Sequence, residues 1–223
     1  MKLPDAFFVT GTDTNVGKTV VSAILTAGLR AHYWKPVQSG VIEGTDSNCV
    51  AGLTGLPASH FLPETYMLKE PLSPHEAARI DGVSISLTNF KLPERKLRPL
   101  VVEGAGGVMV PLNDQHLMLD LIKHLALPVV LVARSSLGTI NHTLLSLHVL
   151  RARSIPVLGV VMNGDRNPAN RRAIELYGQT RVLAEIPRLP ILNQQSIAQS
   201  FSCFSLSPAL PEGPPACQTT VSS

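Results

Sequence analysis

An α/β fold with a parallel sheet flanked by helices on both faces is predicted from three features of the sequence. Aliphatic runs recur without polar alternation, helix-like stretches separate them, and a Gly-Lys-Thr triplet stands where the first run gives way to the first helix. Strands covered on both faces read as continuous Val/Ile/Leu runs. Helices between parallel strands imply right-handed crossovers and a ligand site at the carboxyl ends of the strands.

In chain order, strands are predicted at Ala6 to Val9, Leu100 to Val102, Pro128 to Val132, Val157 to Met162 and Arg181 to Ile186. A further short strand from Tyr33 leads into the turn at Lys35-Pro36. Helices are predicted over Gly17 to His32, Leu117 to His124, Ile140 to Arg153 and Pro168 to Tyr177, the last opening with proline as a first helical turn permits. Between Gly40 and Arg98, Pro57, Pro63, Pro71, Pro74 and Pro93 break the pattern, leaving short helices at Asp46 to Leu53 and His75 to Ile80 in a loop-rich, functional stretch. From about Ser200 the composition turns to Ser, Pro, Gly and Thr, which packs poorly. Residues 1–206 are read as one domain and 207–223 as a disordered tail.

The bulk numbers fit that reading. At 223 residues with 44% hydrophobic and 16% charged side chains, the chain can bury one sizeable core. The net charge of +3 comes from scattered Lys and Arg, with only a short cluster at Arg95 to Arg98, so no nucleic-acid groove is expected. Three widely spaced cysteines, Cys49, Cys203 and Cys217, suit neither a disulfide framework nor a zinc site and point to a reducing cytosol. No signal peptide and no apolar run of membrane-spanning length is recognised.

Chemistry concentrates in Gly11-Thr12-Asp13-Thr14-Asn15-Val16-Gly17-Lys18-Thr19, between a strand and a helix. Such a loop aims backbone N–H groups at the β- and γ-phosphates of a nucleotide, Lys18 adds a full charge, and the Thr19 hydroxyl can ligate Mg²⁺. The usual P-loop pattern has glycine five residues before Gly17, where this chain has Thr12, with Gly11 one place earlier. Strand-to-helix context and the Lys18-Thr19 pair still favour a P-loop NTPase-like nucleotide site over an ordinary turn.

Glu103, at the carboxyl end of its predicted strand and followed by Gly104-Ala105-Gly106-Gly107, is placed to reach a divalent ion or its waters. With Met109 following, those glycines do not make a dinucleotide motif. Lys35, pinned before Pro36, is placed to stabilise a transferred phosphoryl group. Asp46 can be read as a helix N-cap or as a metal ligand. His32, His60, His116, His124 and His148 show no metal spacing, and His75 is read as a packed loop residue.

Taken together, Gly11 to Thr19, Lys35-Pro36 with Ser39, Asp46, Ser73-Pro74-His75, Glu103-Gly104-Ala105-Gly106, Leu137-Gly138-Thr139-Ile140-Asn141-His142 and Asn163 resemble the dethiobiotin synthetase family from Gly11 to about Leu192. The resemblance implies that ATP and CO₂ convert 7,8-diaminononanoate to dethiobiotin, ADP and phosphate through a carbamate and a carbamic-phosphoric anhydride. It implies that Lys18 and Lys35 are catalytic, and that Thr19, Asp46 and Glu103 gather Mg²⁺. Asp13, Thr14, Asn15, Val16, Gly17, Lys18, Thr19, Asp46, Glu103, Gly104, Ala105 and Gly106 would surround the phosphates. Asn163, Gly164, Pro187, Arg188 and Leu189 would hold the base. Thr14, Ser39, Gly138 and Asn141 would take the substrate, the last two across a homodimer interface.

For Asn141 and His142 plain helix capping is the other reading. The chain departs from the family at Asn15 and Gly164, where acidic residues are common. Competing readings are a P-loop switch or partitioning ATPase, a cobalamin-pathway amidating synthetase, or a small-molecule kinase. No extra early lysine marks the loop as in partitioning ATPases, and no room remains for a glutamine-hydrolysing domain.

Overall fold

β1 (Ala6–Gly11) delivers the chain into the glycine loop and α1 (Lys18–Leu29), and the rest of the computed structural model, which describes residues 3–204, is assembled around that pair. The following elements are β2 (His32–Trp34), β3 (Val37–Ser39), α2 (Asp46–Thr54), β4 (Phe61–Leu62), β5 (Tyr66–Leu68) and α3 (Pro74–Asp81). Then come β6 (Leu100–Gly107), α4 (Met118–Leu125), β7 (Val129–Arg134), α5 (Thr139–Ala152), β8 (Val157–Asn163), α6 (Pro168–Gly178), β9 (Val182–Ile186) and α7 (Gln194–Ser200).

The main sheet has the order β4-β2-β6-β1-β7-β8-β9, with every pairing parallel. Because side chains alternate along a strand, each aliphatic run feeds both faces. Phe8, Val102, Leu131 and Val160 pack with α3, α4, α5 and α6 residues such as Ala77, Leu121, Leu147 and Ile174. Phe7, Val9, Val130 and Val161 pack on the other side with Ile24, Val50 and Ile197 from α1, α2 and α7. The predicted fold class holds, and two cores sandwich the sheet.

The helix predicted to reach His32 ends at Leu29. Arg30 turns left-handed at φ 48° and its N–H, with that of Ala31, bonds back to Ala27 and Thr26. Glu103 is not at a strand end, since β6 continues to Gly107. Pairing with β1 slips there, between Val9 and Gly11, and Gly106 at φ 64° turns the backbone away.

The stretch predicted as loop-rich holds α2, α3 and also β4, which edges the main sheet, and β3 with β5, which form a small parallel sheet of their own. Packing also continues past Ser200. α7, capped by Asn193, was not predicted, and the turn behind it buries Phe204 and sets the Phe201 ring against Gly28, where a Cβ would come within 2.2 Å. Cys203 lies in that packed turn, not in a low-complexity end. The predicted tail at 207–223, with Cys217, falls outside the described residues.

Candidate active site

The loop after β1 is fixed by its backbone before any ligand arrives. Thr12 N–H bonds Val132 on β7 at 2.9 Å, Asn15 turns left-handed at φ 59°, and Gly17 does so at φ 93°. A Cβ on Gly17 would stand 2.0 Å from Asn163 Nδ2, so glycine is required there. α1 then begins with no side-chain cap and no acid in its first turn, which leaves its N–H groups for an anion. Lys18 curls back over the loop, donating to the Asp13 carbonyl at 3.1 Å. Burial, and after it repulsion from Lys35, lowers its ammonium to a pKa of about 8.

Behind the loop lies a knot of charge. Thr19 Oγ1 stands 3.0 Å from Asp46 Oδ1 and 3.2 Å from Glu103 Oε1, its single proton available to either. Lys35 Nζ meets Asp46 Oδ2 at 2.6 Å, Glu103 Oε1 at 3.1 Å and the Gly104 carbonyl at 2.9 Å, so all three of its protons have acceptors. Burial alone would lower the Lys35 pKa, but Glu103 and Asp46 together outweigh it and hold the ammonium above its ordinary value. Burial likewise opposes ionisation of Asp46, and the adjacent Lys35 ammonium overcomes this to keep its carboxyl below the usual range.

Two residues that sequence reasoning passed over complete the knot. Tyr33, fully buried, donates its hydroxyl to Glu103 Oε2 at 2.9 Å. Burial first, then the Glu103 charge, pushes that phenol well above its ordinary pKa. Gln38 accepts from the Asp46 N–H at 2.9 Å and donates to the Ser39 carbonyl at 2.7 Å, fastening α2 to β3. The helix-cap reading of Asp46 is corrected, because Thr45 caps α2 by accepting from Asn48 N–H, and Asp46 follows it with its carboxylate turned to Lys35 and Thr19 at the cleft. Period-two reading of Tyr33-Trp34-Lys35 would have put Tyr33 and Lys35 on one face; Gln38 carried no comparable signal.

Arg134, the polar stop of β7, is a third addition. It holds Asp13 Oδ2 at 2.5 Å while Asp13 Oδ1 accepts the Thr14 N–H at 2.7 Å. Thr14, Lys18, Lys35, Ser39, Asp46 and Glu103 all face one cleft of about 1070 Å³. In it the buried Ser39 hydroxyl has no hydrogen-bond partner.

A hard divalent ion suits this donor set. Thr19, Asp46 and Glu103 offer only oxygen, and Lys35 balances one of the two carboxylate charges. Mg²⁺ is commonly held by one or two carboxylates together with substrate phosphates and water.

The remaining predicted residues lie further along the carboxyl edge. Asn163 ends β8, where its side chain donates to the Val16 carbonyl at 3.0 Å and so touches the loop. Gly164 bonds Ile186 at 2.9 Å, and Pro187, Arg188 and Leu189 follow directly from β9. Gly138 and Asn141 are outside the cleft lining. Gly138, at φ 91°, is the cap residue just before α5, and no side chain caps the helix, so the capping reading of Asn141 and His142 is corrected too. Asn141 is exposed in the first turn, beside Leu137 at 99% exposure and Leu145 at 57%. The histidines make local contacts: His32 stacks on His60, and His75 meets the Ser73 hydroxyl at 3.0 Å.

A family model described as an AAA domain matches residues 5–196. The ATP-dependent dethiobiotin synthetase of Paramagnetospirillum magneticum is 56% identical over 200 residues, covering 88% of this chain and 96% of its own. That of Agrobacterium fabrum is 53% identical over 196 residues, covering 88% and 92%. Among solved structures, a putative plasmid partition protein from Borrelia burgdorferi bound to AMPPNP superposes with a TM-score of 0.53 at 10% identity, covering 90% of this chain and 96% of that one. That likeness shows a shared P-loop fold and nothing of function.

Proposed function

The chain belongs to the dethiobiotin synthetases, and from that premise we propose how its residues divide the work. It is an enzyme, an ATP-dependent ligase of biotin synthesis that makes dethiobiotin. The finer chemistry proposed here is the one that the family resemblance implies and that the charges of the cleft support. One amine of 7,8-diaminononanoate takes up CO₂ as a carbamate; a carbamate oxygen attacks the γ-phosphorus of ATP and ADP leaves; the second amine then attacks the carbamoyl carbon and expels phosphate as the ring closes.

No covalent enzyme intermediate is needed, so the protein supplies positioning and fixed charge. Lys35 carries this reading. An ammonium held cationic by two carboxylates cannot serve as a proton acceptor, and at the cleft wall it is a permanent positive charge for carbamate and phosphoryl oxygens. Lys18 adds a second, which the arrival of a polyanion reinforces by opposing its lowered pKa. Thr19, Asp46 and Glu103 would hold Mg²⁺, which supplies charge neutralisation for the β- and γ-phosphates when bound. Asp13 to Thr19 and Glu103 to Gly106 line the phosphates, Asn163 to Gly164 with Pro187 to Leu189 the base, and Thr14 and Ser39 the diamine.

Gly138 and Asn141 act in a homodimer. The exposed Leu137 and Leu145 beside them favour burial against a second copy, whose bound substrate would present its carboxylate to the uncapped start of α5. Cys49 and Cys203 are free thiols, which supports a reducing, cytoplasmic setting.

The test is mass spectrometry of purified protein with MgATP, ¹³C-bicarbonate and 7,8-diaminononanoate. Labelled dethiobiotin in step with ADP is expected from the native chain and not from Lys35→Ala. Undiminished labelled product from Lys35→Ala would remove Lys35 from the mechanism.

A further inference from the structure

Glu103 is wholly buried, and its two oxygens are treated differently. Oε1 faces the cleft chemistry, taking Lys35 at 3.1 Å and standing 3.2 Å from Thr19. Oε2 faces inward, to the Tyr33 hydroxyl at 2.9 Å. Strand register explains the meeting. Tyr33 pairs with Val101 across β2 and β6, and Glu103, two residues further along β6, projects from the same face, within diagonal reach of a long side chain.

From this geometry we propose that Tyr33 is the positioning residue of the metal site, locking the Glu103 carboxylate so that Oε1 points at Thr19 and the cation. The proposal rests on the reading that Glu103 helps hold the divalent ion. A carboxylate turns readily about its last bond. On the inward side, where Glu103 and Tyr33 are both fully buried, no water replaces a lost donor, so the Oε2 contact decides which oxygen is turned to the cleft. Tyr33 itself has little freedom. It is fully buried in the core beside Val101 of β6, and its ring lies 6.3 Å from Phe61 of β4, so the ring is packed by residues of the strands on either side of β2. It never touches substrate; its effect passes through Glu103.

Tyr33→Phe removes the hydroxyl and keeps the ring. Mn²⁺ binding to the enzyme–ADP complex, followed by electron paramagnetic resonance, reads the metal site without turnover, and ADP binding in EDTA reads the loop without metal. The expected result for Tyr33→Phe is roughly tenfold weaker Mn²⁺ binding, the usual scale for an outer partner of a metal ligand, with ADP binding in EDTA unchanged. Unchanged Mn²⁺ binding overturns the proposal, and so does an equal weakening of both, which would mean general loosening. Glu103→Gln, run in parallel, separates the two layers. If it leaves Mn²⁺ affinity intact, the metal reading itself fails and the proposal with it; if it weakens Mn²⁺ binding and Tyr33→Phe does not, Tyr33 alone is excluded.

Discussion

At the phosphate end of the cleft, Lys35 is 3% exposed and Glu103 not at all, and each of their charged atoms has a protein partner. Among the residues proposed for the base and the substrate carboxylate, Arg188 is 80% exposed with a loose 3.5 Å contact to Asp165, and Asn141 is exposed in the first turn of α5. The same strand edges carry both ends. Burying charge costs several kcal/mol per ion unless partners are in place, and that cost is met during folding at the end where charge must be ready for phosphoryl transfer. Where only recognition is asked, exposed side chains suffice, and ordering them is left to the ligand or a second subunit.

That contrast is sharpest under truncation. Lys35→Ala or Lys18→Ala should lower turnover by about 10²–10³-fold, the scale of losing one preorganised charge at a transition state, as measured by ADP release coupled to ring product. A loss below tenfold would erase the distinction between the ends. Asn163→Ala should raise the ATP KM about tenfold, one hydrogen bond's worth, with kcat nearly kept. Its side chain also props the loop at Val16, so a fall in kcat as large as that of Lys18→Ala would mean that the base end is part of the catalytic charge system after all.

Asn141→Ala should be milder, raising the diamine KM by roughly three- to tenfold with the ATP KM unmoved, in steady-state assays varying each substrate. The subtlest effect is a proton. With its pKa lowered to about 8, free Lys18 is largely neutral at pH 9, and a bound triphosphate favours its charged form. Nucleotide binding at pH 9 should therefore take up a fraction of a proton that vanishes at pH 6.5, where Lys18 is already charged. Titration calorimetry in two buffers of different ionisation enthalpy reads this directly. Lys18→Arg, always charged, should abolish the uptake.

Legibility in the sequence followed the range of the interactions. The glycine loop is local, nine consecutive residues between a strand and a helix; Glu103 announces itself as a charge set in an apolar strand, and Lys35 as a charge pinned between a short strand and Pro36. Tyr33 was missed because its partner is 70 residues away and only the β2–β6 register brings them together. β3, β4 and β5, of two or three residues each, are too short for any period to show among the prolines around them. α7 holds one buried aliphatic, Ile197, in a polar run, and its packing on the α1 face could not be read from composition. In α1 the glycine, Gly28, sits inside the last turn and is packed against Phe201, while the left-handed turn that ends the helix falls to Arg30, a residue type that gives no stop signal.

In the proposed reaction the buried charges serve attack by a carbamate oxygen on ATP. The direct measurement is a rapid-quench reaction with C¹⁸O₂, 7,8-diaminononanoate and MgATP, with mass analysis of the inorganic phosphate. Transfer of one ¹⁸O from CO₂ into phosphate, in step with dethiobiotin, is the predicted result; phosphate free of that label while the ring still forms would contradict it.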